Sequence, residues 1–224
     1  MTPNVKQGGR GTAWLGVACL GLLPMSFLSA QEPKLRATLL GHTNAVVAAA
    51  FSPDSKTLAS ASHDGTLKLW DMTTGKERAT LGEYRGCLGC VAFSPDGKTL
   101  ASGVIGSPGG GDLYQVKLWD VASGKVRATL EVENLFVESV AFSPDGKTLA
   151  SLNDGDVKLW DLATNKERAT LRGHTKEDKE TSEPASGIES VAFSTDGKTL
   201  AAATGRDMTV KVWDVATAKR STLA

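Results

Sequence analysis

One phrase is written four times along this chain of 224 residues. AFSPDSKTLAS begins at Ala50, AFSPDGKTLAS at Ala92 and again at Ala141, and AFSTDGKTLAA at Ala192. Downstream of each stands a tryptophan-aspartate pair, in LKLWD to Asp71, VKLWD to Asp120, VKLWD to Asp161 and VKVWD to Asp214. KERATL, KVRATL, KERATL and KRSTL follow in turn. The tryptophans are 49, 41 and 53 residues apart, so a unit of about 40 residues carries insertions of different length. Repetition at this period means one small supersecondary element that cannot bury its own faces and must stack on copies of itself.

The first unit reads as four short strands. Val46–Phe51 ends at Ser52-Pro53-Asp54, residues that set a turn, and Thr57–Ser62 closes at the hairpin signal His63-Asp64-Gly65. Residues 66–70 alternate β-branched or apolar residues with lysine, as a strand with one wet face does. A turn at Met72-Thr73-Thr74-Gly75-Lys76 leads into a fourth strand over 77–81. No stretch offers an amphipathic helical stripe, so the chain is expected to be all-β. Lys plus Arg and Asp plus Glu each number 25, which leaves no net positive field to gather nucleic acid.

Gly41-His42, then Asp64, then Trp70-Asp71 resembles the WD40 repeat, whose copies form the blades of a β-propeller. The resemblance covers about residues 34–223. The AFSPDGKTLAS wording is similar to that of the many WD40 proteins of bacteria such as the planctomycetes. The blade cores are expected at about 41–81, 82–130, 131–171 and 173–223, within a repeat domain 31–224.

The resemblance implies a hydrogen-bonded network of His42, Ser60, Asp64 and Trp70, with Asp71 beside it. An indole N–H wants an acceptor, and a buried imidazole can bridge a hydroxyl and a carboxylate. Ser, His and Asp also suggest a hydrolase, but they occupy framework positions of the repeat and no GxSxG turn is present. The network thins in later copies. The second retains Asp112, displaced by one, with Trp119 and Asp120; the third keeps Asp154, Trp160 and Asp161. The fourth keeps His174, Asp207, Trp213 and Asp214, with Ala203 read in the place of the serine. Only the first unit holds the full set, so the others are expected to rely on packing and turn geometry.

Two insertions interrupt the pattern. The stretch 104–113, VIGSPGGGDL, reads as a mobile hairpin loop; it lacks the wording of a phosphate-binding loop and the helix that should follow. The stretch 176–187, KEDKETSEPASG, is polar and would project from one face. Cys87 and Cys90 fall on a first strand and are read as structural, either buried or closed into a disulfide. With three histidines and no metal-ligand spacing, neither a metal nor any other cofactor is expected.

Residues 1–30 stand apart. Lys6 and Arg10 precede the uncharged run 14–28, WLGVACLGLLPMSFL, and Ala30 precedes a polar boundary. This reads as a cleaved signal peptide, hence a secreted or periplasmic protein; the alternative is a membrane tether through residues 14–28. Pro24 and the shortness of the run argue against a stable span after processing.

Propeller rings commonly have four to eight blades. The first three strands occur four times, but the fourth occurs five times, over 35–39, 77–81, 126–130, 167–171 and 220–223. The sequence therefore points to a small four-bladed ring or to an incomplete, open propeller that self-associates. Function follows from the resemblance: a non-catalytic scaffold for an unidentified protein or peptide. Two other readings stay open, a structural fragment of a larger WD40 protein and a propeller that binds a ligand or substrate in its central channel.

Overall fold

The computed structural model describes residues 34–83, 86–105, 114–132, 136–153, 156–173, 190–204 and 209–220. The repeat wording becomes sixteen strands in four antiparallel four-stranded sheets. The first sheet is β1 (Val46–Phe51), β2 (Thr57–Ser62), β3 (Thr66–Asp71) and β4 (Lys76–Glu83), in that order. The second is β5 (Cys87–Phe93), β6 (Thr99–Ile105), β7 (Gln115–Asp120) and β8 (Val126–Glu131). The third is β9 (Val137–Phe142), β10 (Thr148–Asn153), β11 (Asp156–Asp161) and β12 (Lys166–Leu171). The fourth is β13 (Ser190–Phe193), β14 (Thr199–Thr204), β15 (Thr209–Asp214) and β16 (Lys219–Arg220). Each sheet is a meander, because turns of a few residues can join only antiparallel neighbours.

Alternation along each strand sends one set of side chains forward to the next sheet and the other set back to the previous one. Ala59, Leu67, Leu69 and Leu81 of the first sheet pack against Leu88, Leu100 and Trp119 of the second. Ala101, Val116, Leu118 and Leu130 meet Val137, Leu149 and Trp160 in the same way. Ala150, Val157, Leu159 and Leu171 meet Val191, Leu200 and Trp213. Burying one such aliphatic side chain contributes about 1.5–3 kcal/mol, so these seams are the main source of cohesion. Among the described residues, three apolar layers join four sheets in a row, and none joins the fourth to the first. The fold is an open four-bladed propeller.

Three local expectations are corrected. Residues 35–39, read as a fifth outer strand, belong to no sheet; the fourth sheet has its own outer strand in β16. The first insertion begins later than expected, because Val104 is buried and β6 continues to Ile105. The residue of the fourth unit equivalent to Ser60 is Ala202, not Ala203: Ser60 pairs with Lys68, and Ala202 pairs with the matching Lys211. The rest of the first insertion, the second insertion and residues 1–30 lie outside the described residues.

Candidate interaction surface

The network of the first sheet is assembled in full. Ser60 on β2 accepts a hydrogen bond from Trp70 Nε1 at 2.8 Å and lies 2.7 Å from His42 Nε2. His42 Nδ1 stands 3.0 Å from Asp64 Oδ2, at the β2–β3 hairpin. With the proton on Nδ1, the ring donates to the carboxylate and accepts from the serine hydroxyl, satisfying every member. Burial alone would raise the Asp64 pKa, but donors from Thr66, Thr43 and His42 outweigh it and hold the carboxyl well below its usual range. The imidazole also meets the Trp70 indole edge-on, with ring centroids 6.1 Å apart.

This geometry has the connectivity of a hydrolytic triad without its accessibility. Ser60 is buried, and its oxygen already receives the indole proton, so it faces no space in which a carbonyl carbon could sit. The group is a brace between hairpin and sheet.

Half of the brace recurs where the full motif is lost. Trp119 Nε1 donates to Ser102 at 2.9 Å, and Trp160 Nε1 to Ser151 at 3.0 Å. In the third sheet Ser151 donates onward to Asn153 Oδ1 at 2.8 Å, and Asn153 Nδ2 donates to the Phe136 carbonyl. Asn153 thus supplies the acceptor that histidine supplies in the first sheet. Sequence reasoning missed this, although the serine of each TLAS phrase was the visible signal. Asp112, Asp154, His174 and Asp207 lie outside the described residues.

The turns form a second repeated framework. In each first hairpin a serine hydroxyl donates to the aspartate two residues on, as in Ser52 to Asp54 at 2.6 Å, and accepts from Thr57 N at 2.9 Å. Ser94 with Asp96, Ser143 with Asp145 and Ser194 with Asp196 repeat the arrangement. The aspartate of each tryptophan-aspartate pair caps the next turn: Asp71 accepts from Thr74 N, Asp120 from Ser123 N, Asp161 from Thr164 N and Asp214 from Thr217 N. These donors lower the pKa of every one of those carboxyls.

A register shift beside the tryptophan leaves Arg78, Arg127 and Arg168 as the extra residue of a β-bulge in their sheets. A bulge re-aims the side chain it carries. Arg127 lines a cleft of about 620 Å³ at the second seam, with Asp96, Phe142, Asp145, Lys147 and Asp161. Arg168 lines a smaller one of about 390 Å³ at the third, with Asp145, Asp196, Lys198 and Asp214. The same polar set therefore recurs at successive seams, held on braced turns.

Cys87 and Cys90 are free, and the disulfide considered for them is not formed. A register shift lies between Leu88 and Cys90, and the two thiols turn to different sheets. Cys87 Sγ faces the His63 carbonyl of the first, Cys90 Sγ the Val137 carbonyl of the third. Burial, with a smaller contribution from Glu138, pushes the Cys90 thiol up to about 12, so it carries no nucleophilic thiolate at neutral pH. Among the described residues, no group of three or more His, Cys, Asp or Glu is placed to hold a metal ion, and no helix is long and apolar enough to cross a membrane.

Comparison with known proteins gives the family model for the WD domain, G-beta repeat, which matches residues 33–71, 75–120, 124–161 and 165–214. The small ribosomal subunit protein RACK1z of Arabidopsis thaliana is 50% identical over 44 residues, 20% of this chain and 14% of that protein. The target of rapamycin complex subunit wat1 of Schizosaccharomyces pombe is 54% identical over 44 residues, 20% of this chain and 13% of its own length. Protein Mut11 of Chlamydomonas reinhardtii is 60% identical over 37 residues, 16% of this chain and 10% of that protein. The matched segment thus spans about a seventh or less of these relatives. Their sources correct one expectation: plant, yeast and algal relatives give no support to a bacterial, planctomycete-like, secreted protein with a signal peptide. The repeat wording is shared across kingdoms because it encodes turn and sheet chemistry, which carries no mark of origin. Four matched repeats, covering well over half of the sequence, place this chain in the WD40 family.

Proposed function

We propose that the chain is a non-catalytic protein-interaction scaffold whose seam clefts take extended peptide segments. The observation that carries this reading is the recurrence of a bulge arginine, a turn lysine and turn aspartates at two successive seams, on hairpins fixed by the same hydrogen bonds. A rigid array of mixed charge beside the half-buried Phe142 suits a peptide that carries both signs of charge beside an apolar side chain. Two relatives support the reading, one named as a small ribosomal subunit protein and the other as a target of rapamycin complex subunit. The serine, histidine and aspartate of the first sheet are consumed in bracing, so that trio offers no free nucleophile.

A displayed peptide library selected on the full chain tests this. Selected peptides are expected to bind at least tenfold more weakly to an Arg127→Ala, Lys147→Ala variant. Peptide binding indifferent to those changes would overturn the cleft assignment. Esterase or peptidase activity lost in Ser60→Ala would overturn the non-catalytic one.

A further inference from the structure

The two ends of the row of sheets each expose one half of a seam. At the first sheet the backward face is open: Val46 is 53% and Phe51 58% exposed. Their equivalents Leu88 and Val137 are buried, and Phe93, Phe142 and Phe193 are partly covered by the preceding sheet. At the fourth sheet the forward face is open: Val210 is 68% exposed, where Leu67, Val116 and Val157 are fully buried. Ala201, Ala203 and Val212 beside it are only half-covered, at positions where Ala59, Ala61 and Leu69 are buried.

The missing half of each end is the face exposed at the other. The turn residues change in step with this. At the internal seams a proline of one sheet lies against the turn glycine of the next: Pro53 against Gly97, Pro95 against Gly146 and Pro144 against Gly197. A Cβ on Gly97 or Gly197 would stand 3.4 Å from the proline ring. At the open ends both partners differ, since Thr195 stands where the proline would be and Ser55 where the glycine would be. In a junction between the ends these two would face each other, and a turn residue with a Cβ would meet no proline ring.

We infer that a second copy of this chain covers both ends, head to tail, so that two copies close a ring of eight sheets. Each copy contributes a forward face to one junction and a backward face to the other. Such heterologous contacts give a closed assembly when the rotation closes and a filament when it does not. Eight blades is within the range that propellers adopt.

Light scattering of the full chain on a sizing column is expected to give twice the chain mass of 23.4 kDa. Phe51→Asp and Val210→Asp change exposed side chains, so each variant should keep the parent circular dichroism. Each is expected to run as a monomer, because every junction uses one face of each kind. Mixing the two variants should restore the dimer mass through the one junction that retains both native faces. A monomeric parent chain would overturn the inference. So would a Val210→Asp variant that stays dimeric, which would mean pairing of like faces, or an open ladder of increasing mass.

Discussion

Three residues, Ser55, Asn165 and Ala218, take left-handed backbone where the other repeats use glycine, and replacing the two that lack asparagine's tolerance of it has a predictable sign and size. The turn after each tryptophan-aspartate pair ends in left-handed backbone, with φ of 69° at Gly75 and Gly124, 56° at Asn165 and 55° at Ala218. The turn after the first strand does the same, with φ of 69° to 71° at Gly97, Gly146 and Gly197 but 58° at Ser55. A Cβ in this region costs about 1–2 kcal/mol, and glycine gives back about 0.4–1 kcal/mol through its freedom in the unfolded chain. Ala218→Gly and Ser55→Gly should therefore each stabilise by about 0.5–1 kcal/mol. The sites lie in different sheets, so the double variant should gain about 1–2 kcal/mol. The reciprocal change is available in the same molecule. A Cβ on Gly75 meets nothing within 4 Å, so Gly75→Ala should lose what Ala218→Gly gains. Gly124→Ala should lose more, because its Cβ would sit 3.0 Å from Leu81 Cδ2. Urea denaturation at one fixed protein concentration, followed by tryptophan fluorescence, measures all of these. A lowered midpoint for Ala218→Gly, or a raised one for Gly75→Ala, would refute the argument.

The remaining expectations concern the brace, the core and acid. Ser102→Ala or Ser151→Ala removes the acceptor of a buried indole N–H and should cost about 1–3 kcal/mol in urea titration. Ser60→Ala deprives both Trp70 and His42 of a partner, and Ser151→Ala both Trp160 and Asn153, so each should cost more than Ser102→Ala; equal losses in all three would show that the second partner adds nothing to the brace. Gly103→Ala would place a Cβ 2.5 Å from Cys90 Sγ and 2.6 Å from Val137 Cγ1, and overpacking of this kind costs about 1–3 kcal/mol. Adding Cys90→Ala should recover part of that loss, because Ala48 opposite Ala61 is the pair that the first sheet uses. The turn aspartates Asp54, Asp96, Asp145 and Asp196 are lowered first by the serine hydroxyl, then by a backbone N–H. A carboxyl lowered in the folded state stabilises above its unfolded value and loses that contribution as pH falls through its folded one. Urea midpoints should hold steady down to about pH 5 and fall by pH 3; an unchanged midpoint at pH 3 would contradict the sign.

Strand positions were readable from the sequence because the alternation and the turn residues agree: the expected β1 and β2 coincide with the observed ones residue for residue. Features that depend on register were not readable. KERATL looks like an ordinary alternating strand, and nothing in it announces that Trp70 pairs with Glu77 while Leu69 pairs with Ala79, which is what expels Arg78 from the ladder. Cys87 and Cys90 suggested a small ring closure, yet the two thiols meet backbone carbonyls of different sheets. The tryptophan brace was read as all or nothing, because its histidine is the conspicuous member. The serine that takes the indole proton is the part the first three sheets share, since a buried indole N–H without an acceptor is costly.

Near-identical repeats also carry a hazard. If every forward face fitted every backward face equally well, sheets could pair out of order, a characteristic failure of repeat proteins. The pairs at one equivalent position of β1, β5 and β9 differ from sheet to sheet: Ala48 opposite Ala61, Cys90 opposite Gly103, and Ser139 opposite Leu152. Volume removed at one member is returned at the other or at the facing strand, as where Gly103 leaves room for both Cys90 and Val137. A sheet moved to the wrong seam would bring a side chain into that space or leave it empty, and interiors tolerate neither cheaply. The turns, written almost alike in each copy, make the blades interchangeable in shape. These few unequal pairs give each internal seam its own partner, and they leave the two outermost faces as the only ones without one among the described residues.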